Sequence, residues 1–534
     1  MKHITHILAV LAGAVLLAGC SDFLEEYSQD TYYVKSYKDL DELLIGDCYL
    51  QTQLSRTAAN TDNIGWFLPF LSDEMEEENK SHSSYNVLFD VKEKVFGYYT
   101  WQQRVGVTQE FSSYTKENGT WTEIYRLINV ANNIITSVED VPQNTEDEKQ
   151  GSLRVKGEAH FLRGLYYFWL ANLYGKPYNP ATAASDLAVP LKTDEKVNDI
   201  TYQRNTVQQV YDQVLSDLNT AHDCLVKTEK KKTIYRADST AVNLLLSRVY
   251  LYMQQWDKAA DYANRVILAR PTLTDLNDMT AASGFLSKDS KETIFSMGGN
   301  DVPCNMDYLY QGFRVSHDLY NTYDDKDLRK SQWYWTRADF VGYTKIAQGV
   351  AFDASSIDPA RDDYYFYAYQ NGWEDQLCPV SDKFLFRTAE AYLNKAEADA
   401  CAGREDEART TLNQLRAKRY AQGSDYEITS TGQALMTDIR NERRRELALE
   451  GQRWFDLRRY AVCEKYPESK SITHKYTYYE DRSSTVMTKT RTFVLKENDP
   501  AYTLPIPQEV IEYNTGMVQN ERPWREYTES TPEE

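Results

Sequence analysis

The chain has 534 residues, of which 42% are hydrophobic and 26% are charged, and this composition is typical of a folded globular protein. Its 80 acidic side chains outnumber its 60 lysines and arginines. The resulting formal net charge of -20 disfavours binding to nucleic-acid phosphates or to anionic lipid headgroups. The mean hydropathy of -0.63 argues against a polytopic membrane protein. The aromatic content is high, with 41 Tyr and 10 Trp, and such side chains serve both helix cores and binding surfaces.

The first residues predict an exported, lipid-anchored protein. Lys2 precedes an apolar run over residues 7–17, which has the length of a secretory signal and is too short to span a bilayer. The run ends in Leu17-Ala18-Gly19-Cys20, which resembles a bacterial lipobox, so we expect residues 1–19 to be removed as a signal peptide and Cys20 to be acylated. Such acyl chains anchor a protein firmly, since each buried CH₂ contributes about 0.8 kcal/mol. The alternative is an ordinary signal that leaves Cys20 unmodified.

The residues after Cys20 bear on the side of the membrane that the protein faces. Ser21-Asp22-Phe23-Leu24-Glu25-Glu26 is an acidic tether that resembles the surface-export signal of some outer-membrane lipoproteins. It favours exposure on the cell surface, and a periplasm-facing anchor is the alternative.

The six remaining cysteines include no Cys-x-x-Cys pair, which disfavours a zinc ribbon or a thioredoxin-like site. Disulfides are compatible with an exported protein, but the spacing does not identify partners. These residues are Cys48, Cys224, Cys304, Cys378, Cys401 and Cys463.

Apolar residues at three- and four-residue spacing predict amphipathic helices along much of the chain. Thr240–Leu268 is predicted to form two antiparallel helices with small residues that allow close approach, and the same pattern returns at Phe386–Arg416. We therefore predict a mostly α-helical fold with tetratricopeptide-like helix pairs as its scaffold. Further helices are predicted at Ser36–Leu50, Trp121–Val138, Gly157–Tyr174 and Val207–Leu225.

Two long irregular segments interrupt the helices. Residues 271–382 and the residues from Pro467 onward lack a sustained helical period, although Thr488–Leu495 is a candidate strand. Loops of this length are often functional. We predict a single domain over residues 20–534. Its parts are a helical region (20–270), an irregular ligand-face insertion (271–382), a helix pair with a Glu/Arg-rich helix (383–460) and an irregular C-terminal segment (461–534).

No catalytic or cofactor motif is present in the sequence. His-Glu-x-x-His, the Gly-x-Ser-x-Gly elbow, the P-loop and the dinucleotide fingerprint are all absent, and no two histidines after Cys20 have the spacing of a helical metal pair. We therefore predict that the protein is not an enzyme and uses no cofactor or metal. The acidic run Asp73–Glu78 is interpreted as a solvated loop, with loose calcium binding as the alternative.

Glu442–Arg459 superficially resembles an active site, because acids and bases alternate along it. Glu442, Glu446 and Glu450 follow one another at four-residue spacing, where opposite charges on the same face support a helix. We interpret the segment as a structural helix and turn.

Five blocks occur in a characteristic order along the chain. They are Cys20 with its tether, Trp121 to Asn132, Glu158 to Gly175, Glu442 to Arg458, and Leu504 to Glu509 with Asn520. Together they resemble the SusD/RagB family of outer-membrane nutrient-binding lipoproteins, and the resemblance covers essentially the whole chain. The most specific block is Glu450-Gly451-x-Arg453-Trp454-Phe455-Asp456-Leu457-Arg458 with the two glutamates before it.

The resemblance implies a fold, a partner and a function. The fold would contain four tetratricopeptide-like helix pairs, with irregular segments forming the ligand face. The partner would be a SusC-like TonB-dependent β-barrel transporter, on which this protein forms a lid. The function would be capture of a nutrient, most simply an oligosaccharide, and its delivery to that transporter.

A sugar site needs aromatic platforms and a few planar polar groups. We predict Trp66, Trp101, Tyr310, Trp333 and Trp335 as platforms, with Asn305 and Arg337 as polar partners. Trp333 and Trp335 would share one face of an extended segment, because alternate residues of a strand point the same way. Packing between elements is the alternative for each ring.

Two other classes of function remain open at this point. A helix-repeat scaffold would bind protein alone, and a surface glycoside hydrolase would use carboxylate pairs whose separation the sequence does not reveal. The ligand class is also open, since starch, mucin glycan, another polysaccharide or peptide would fit.

Overall fold

The computed structural model describes residues 34–52, 59–78, 85–109, 111, 113–196, 200–228, 233–279, 285–287, 289–302, 312–337, 339–343, 345, 380–481, 484 and 486–532. The signal peptide, Cys20 and its acidic tether therefore lie outside the described residues, as do Asn305 and Tyr310.

Helices dominate the described part of the chain, as the apolar periodicity predicts. In chain order they are α1 (Tyr37–Leu43), α2 (Leu68–Leu71), α3 (Tyr85–Tyr99), α4 (Gly119–Ser137), α5 (Glu146–Tyr174), α6 (Val207–Leu225), α7 (Ser239–Tyr252), α8 (Trp256–Ala269), α9 (His317–Tyr320), α10 (Leu328–Gln332), α11 (Thr388–Cys401), α12 (Glu405–Arg416), α13 (Gly432–Glu446), α14 (Arg453–Ala461) and α15 (Gln508–Tyr513). The predicted helix Ser36–Leu50 is divided, because α1 continues as a π-helical turn over Leu44–Cys48.

Helix α5 begins well before the predicted Gly157. Thr145 caps it, since the Glu148 backbone N–H donates to Thr145 Oγ1 at 3.2 Å and the Thr145 N–H donates to Glu148 Oε2 at 2.9 Å. The first turn is acidic and exposed. It therefore shows no apolar period, and periodicity alone missed it.

The helices pack as successive neighbours. Helix α4 packs on α5, α5 on α6, α7 on α8, and α11 on α12. A side chain in place of Gly157 would bring its Cβ to 2.8 Å from the Cβ of Cys224, so this glycine allows α5 and α6 to approach closely. Helix α8 also packs directly on α11, although the insertion 271–382 separates them in sequence. The insertion therefore interrupts the chain but not the stack of helices.

Two hydrophobic clusters form the core. The larger joins the helices up to α8 with the strands and α14, and the smaller is centred on α11, α12 and α13, around Leu393, Leu412 and Ile439. None of the helices in the described ranges combines the length and apolarity that a bilayer span requires.

The strands are short except near the C-terminus. They are β1 (Met75–Glu77), β2 (Thr293–Ser296), β3 (Phe313–Val315), β4 (Tyr334–Arg337), β5 (Phe340–Tyr343), β6 (Leu385–Arg387), β7 (Ile472–Tyr479), β8 (Met487–Leu495) and β9 (Tyr527–Ser530). Strands β1 and β3, β2 and β6, and β4 and β5 form two-stranded antiparallel sheets, and β7-β8-β9 is a three-stranded sheet.

The C-terminal sheet corrects the prediction of an irregular segment after Pro467. Strand β8 confirms the candidate strand Thr488–Leu495, but β7 was missed. Its signal was present in the sequence, because buried Ile472 and His474 alternate with exposed Thr473 and Lys475.

The Glu/Arg-rich segment is a buried structural element, as predicted. Glu446 ends α13 and accepts hydrogen bonds from guanidiniums of three separate segments. Arg387 Nη1 lies 2.6 Å from its Oε1, Arg329 Nη1 lies 2.8 Å from its Oε2, and Arg419 Nε lies 3.0 Å from its Oε2. Burial alone would raise the pKa of Glu446, but these guanidiniums hold it well below its usual range.

The neighbouring glutamates are engaged in the same way. Glu442 Oε1 lies 2.7 Å from Arg329 Nη1, and Glu450 Oε2 lies 2.9 Å from Arg387 Nε. Burying these charges requires each to have its partners, since an unpaired charge in the interior is costly. We refer to Glu442, Glu446 and Glu450 with these arginines as the Glu446 cluster.

Replacing Glu446 with Gln removes one charge while conserving the shape of the side chain. We expect the free energy of unfolding to fall by at least about 3 kcal/mol, because three buried guanidiniums lose their shared counter-charge. Urea denaturation measures the change. The matched control is Asp261→Asn, which removes an exposed pair with Arg265 at 2.7 Å and should change stability by only a few tenths of a kcal/mol. Equal effects of the two substitutions would contradict the role given to the Glu446 cluster.

Candidate ligand-binding surface

The acidic run Asp73–Glu78 is a buried strand with its flanks, not the solvated loop that the sequence suggested. Asp73 receives a bidentate pair from Arg453, with Nε and Nη2 each 2.8 Å from a carboxylate oxygen, and Lys470 Nζ lies 2.6 Å from its Oδ2. Burial alone would raise the pKa of Asp73, but Arg453 and Arg444 hold it well below its usual range. The prediction was wrong because these partners lie far along the chain, where local composition gives no hint of them.

The calcium alternative finds no support in this run. Within the described ranges, no three His, Cys, Asp or Glu side chains are grouped so that they could hold a metal ion. The carboxylates of the run are instead occupied by cations and backbone N–H groups.

Glu74 is held differently from Asp73. Its Oε1 accepts the backbone N–H of Leu449 at 2.9 Å, where Leu449 turns the chain with a φ of 59°. Burial raises the pKa of Glu74 to about 7. The Glu74 side chain therefore connects the turn between α13 and α14 to the start of β1. Its carboxyl group is protonated below neutral pH.

Arg314 connects β1 and β3 with the turn of the β4–β5 hairpin. Its Nε donates to Glu76 Oε1 at 2.8 Å, and its Nη1 lies 2.8 Å from Glu78 Oε2 and 3.1 Å from Asp339 Oδ2. Nδ1 of His317 lies 2.7 Å from the same Glu76 oxygen. These side chains form a polar rim, in which Asp339 and part of His317 are exposed.

A cavity of about 220 Å³ lies beside this rim. Asp73, Glu76, Asp318 and Lys470 are among the residues that line it, and Lys470 Nζ bridges Asp73 and Asp318 at 2.6 and 3.0 Å. Each charge in the cavity thus has a fixed counter-charge. Such a surface offers hydrogen-bond acceptors to hydroxyl groups without a large net field.

Trp335 lies on the β4–β5 hairpin with its side chain partly exposed. Its ring stacks on Phe340, with centroids 5.1 Å apart and planes at 30°. Its cross-strand partner is Gly342, and a Cβ there would lie 2.0 Å from the indole Nε1. The glycine therefore lets the indole lie across the hairpin, and the ring is held in one orientation.

Trp66, Trp101 and Trp333 are 3%, 0% and 0% exposed, which corrects the expectation that they present open platforms. Trp66 packs edge-on against Tyr98 with ring centroids 5.2 Å apart. Trp101 has a φ of 51° directly after α3, in a position that glycine usually takes, and its Nε1 donates to the Leu71 carbonyl at 3.0 Å. In this conformation their faces contact protein, so a ligand cannot stack on them.

Trp333 also departs from the predicted strand geometry. It is the C-terminal cap of α10 with φ of -103° and ψ of -10°, and β4 begins one residue later. Trp333 and Trp335 therefore do not share a strand face. The Trp333 ring packs on Phe285, with centroids 4.8 Å apart, and Lys345 Nζ lies 4.1 Å from its centroid.

The three remaining predicted site residues belong to the insertion 271–382. Arg337 ends β4 and pairs with Phe340 in the register of the hairpin. Asn305 and Tyr310, between Val302 and Gly312, lie outside the described residues. Arg314 and His317 were not predicted, because their only signal in the sequence was their place in the aromatic-rich insertion.

Two regions of the chain match models of known protein families. Residues 380–524 match the family model described as "SusD family", and residues 52–251 match the one described as "Starch-binding associating with outer membrane". A SusD-like protein of Formosa agariphila is 27% identical over 383 residues, which cover 64% of this chain and 70% of the relative. A SusD-like protein of Bacteroides ovatus is 22% identical over 496 residues, which cover 84% of this chain and 81% of the relative.

Solved structures share the fold. A SusD superfamily protein of Bacteroides thetaiotaomicron gives a TM-score of 0.64 at 22% identity, covering 91% of this chain and 100% of that chain. A SusD-like carbohydrate binding protein of Bacteroides vulgatus gives 0.63 at 20% identity, covering 91% and 98%. The chain belongs to the SusD/RagB family. Its SusD-like fold is mostly helical, which confirms the fold class predicted from the sequence.

Glu74→Gln tests the buried carboxyl of this SusD/RagB protein. The pKa of Glu74 is raised above its usual value near 4.5, so the stability it contributes is present below about pH 4.5 and is lost as pH rises through about 7. The Gln variant should match the wild type near pH 4.5 and exceed it at pH 8 by roughly 3 kcal/mol. Urea denaturation across this range measures the difference. The exposed control Glu407→Gln should follow the wild type throughout, and a Glu74→Gln curve parallel to the wild type would contradict the assignment.

Proposed function

We propose that the protein is a lipid-anchored outer-membrane glycan-binding protein that captures oligosaccharide and passes it to a SusC-like TonB-dependent transporter. The observation that carries this proposal is the partly exposed indole of Trp335, held by Phe340 and Gly342 on the hairpin whose turn meets the polar rim. The descriptions of the matching family model and of the Bacteroides vulgatus neighbour, which name starch and carbohydrate, support the same ligand class.

The hairpin has the features that a sugar subsite requires. Sugar rings present flat C–H faces that pack on an aromatic plane, while their hydroxyls need nearby donors and acceptors. Trp335 supplies the plane. Because β3 packs beside β5, Arg314 on β3 and Asp339 in the hairpin turn supply charged hydrogen-bonding groups at the turn of the same hairpin. A fixed ring loses little conformational entropy on binding, which favours affinity.

The contacts of the carboxylates support binding of the glycan without its cleavage. Asp73 is held by Arg453 and Lys470, and Glu76 by Arg314, so these acids act as fixed acceptors. Incubation with a retained polysaccharide should release no new reducing ends. Their release would favour the hydrolase alternative.

Attachment to the membrane rests on the sequence around Cys20. A lipid anchor followed by the acidic tether would hold the helical scaffold at the cell surface, where a captured oligosaccharide can reach a transporter. The description of the family model as "associating with outer membrane" supports this location.

Trp335→Ala tests the binding surface. The substitution removes a partly exposed ring, so the protein should fold normally but bind its glycan at least about tenfold more weakly, as loss of a central aromatic contact typically costs. Affinity electrophoresis against a panel of polysaccharides measures retention, and Trp335→Phe should recover part of it. Exposed Trp524, on the C-terminal segment away from the hairpin in sequence, offers the control Trp524→Ala. Unchanged retention by Trp335→Ala would remove this site.

Cys20→Ala tests the anchor. Without the thiol there is no acylation site, so the variant should leave the membrane fraction and lose incorporation of labelled palmitate. Cell fractionation and metabolic labelling measure the two effects. The matched control is Cys48→Ala, which removes a buried thiol. An unlabelled wild-type protein would contradict lipid anchoring while leaving glycan retention untouched.

A further inference from the structure

Two cysteines that are far apart in sequence meet in the smaller hydrophobic cluster. Cys401 is the last residue of α11, and Cys463 follows the end of α14. Each is 4% exposed, and both belong to the cluster formed by α11, α12 and α13. Both are free thiols in this structure, and each shifts the pKa of the other.

The surrounding contacts hold the two thiols in this position. One helical turn before them, Glu397 receives both terminal nitrogens of Arg459, at 2.6 and 2.8 Å. Two residues after Cys463, Lys465 Nζ donates to the carbonyl of Cys401 at 2.8 Å. An ion pair before the two cysteines and a hydrogen bond after Cys463 therefore hold the ends of α11 and α14 together.

Gln254, at the turn between α7 and α8, fixes the backbone around Cys463 independently. Its Nε2 donates to the Val462 carbonyl at 2.8 Å, and its Oε1 accepts the Glu464 N–H at 2.8 Å. The residues on either side of Cys463 are thus bound to one amide side chain. Together with the Lys465 contact, this amide holds the backbone around Cys463 beside the end of α11.

We propose that Cys401 and Cys463 are joined by a disulfide bond in the exported protein. The pairing rests on this geometry, and the oxidising location rests on the proposed function. The reaction is thiol–disulfide exchange with the disulfide of a second molecule. The thiolate of one of the two cysteines attacks one of its sulfurs and releases the other as a thiolate. The second cysteine, losing its proton, then attacks the Sγ of the first and releases the second thiolate. The chain loses two protons and two electrons, and the partner disulfide becomes two thiols.

In the folded chain the Cys463 thiol is the more acidic of the two. The hydrogen bond from Cys401 lowers the pKa of the Cys463 thiol to about 6, while the same hydrogen bond and burial raise that of Cys401. Both thiols are enclosed once the cluster has packed, so the exchange belongs to the folding of the exported chain.

The bond would close a loop that contains α12, α13 and α14, and Glu446 lies within this loop. It constrains the unfolded chain and so stabilises the segment that carries the Glu446 cluster. The other two described cysteines have different surroundings. Cys48 Sγ lies 3.8 Å from the Leu127 carbonyl oxygen, and Cys224 packs against α5 near Gly157.

Non-reducing peptide mapping tests the pairing directly. Free thiols are blocked with N-ethylmaleimide, and the protein is denatured and digested with trypsin. Peptides 396–404 and 460–465 carry Cys401 and Cys463, and we expect them to be recovered as one linked species that dithiothreitol separates. The mapping is done on protein from the membrane fraction and on purified protein refolded with oxidised glutathione.

The two preparations separate the possible failures. Separate, alkylated peptides after refolding with oxidised glutathione would overturn the pairing. Linkage after refolding but not in the membrane fraction would overturn its occurrence in the exported protein. Glycan retention by the same preparations reports on the proposed function independently, because neither cysteine lies at the Trp335 hairpin.

Thermal unfolding provides a second readout. Oxidised wild type should unfold several degrees above Cys401→Ser, and dithiothreitol should remove that difference. Cys224→Ser is the control, because it should leave the response to dithiothreitol intact. A wild-type midpoint that does not respond to dithiothreitol would contradict the proposal.

Discussion

The Glu446 cluster is the interaction on which the other elements depend. Its arginines come from α10, β6 and the chain just after α12, and they converge on one carboxylate at the end of α13. Buried ions are tolerated only when every partner is present with good geometry. The insertion, the α11–α12 pair and the Glu/Arg-rich helix are therefore positioned together. Arg329 also connects the cluster to the proposed binding surface. It lies on α10, which is followed directly by β4, so the position of α10 determines the position of the Trp335 hairpin.

The packing of α8 on α11 explains how a long irregular insertion coexists with a regular scaffold. The stack of helix pairs continues directly from α8 to α11, and β3, a described part of the insertion, pairs with β1. Loops that are positioned by a rigid scaffold commonly carry binding residues. Sequence changes in such an insertion can alter ligand preference while the helix–helix contacts stay as they are.

The sequence predicted what local periodicity determines. The helix pairs at Thr240–Leu268 and Phe386–Arg416, and the structural nature of Glu442–Arg459, follow from residues that are close together in the chain. The acidic run and the tryptophans depend on distant partners. Asp73 is buried because Arg453 neutralises it, and Trp333 turns away from Trp335 because α10 ends at that residue. The orientation of the Trp335 indole depends on Gly342 across the hairpin, which no pattern within β4 itself reveals.

The pairing of β1 with the C-terminal part of the chain has a consequence for the order of synthesis. Arg453, Lys470 and Thr477, which neutralise or bind Asp73 and Glu77, follow their partners by 380, 397 and 400 positions. Until a ribosome has made them, Asp73 and Glu77 lack these partners. Contacts of such long range form late, because the intervening chain must first be ordered. The part of the fold that joins the acidic strand to α14 and β7 is therefore completed only after most of the chain has been made.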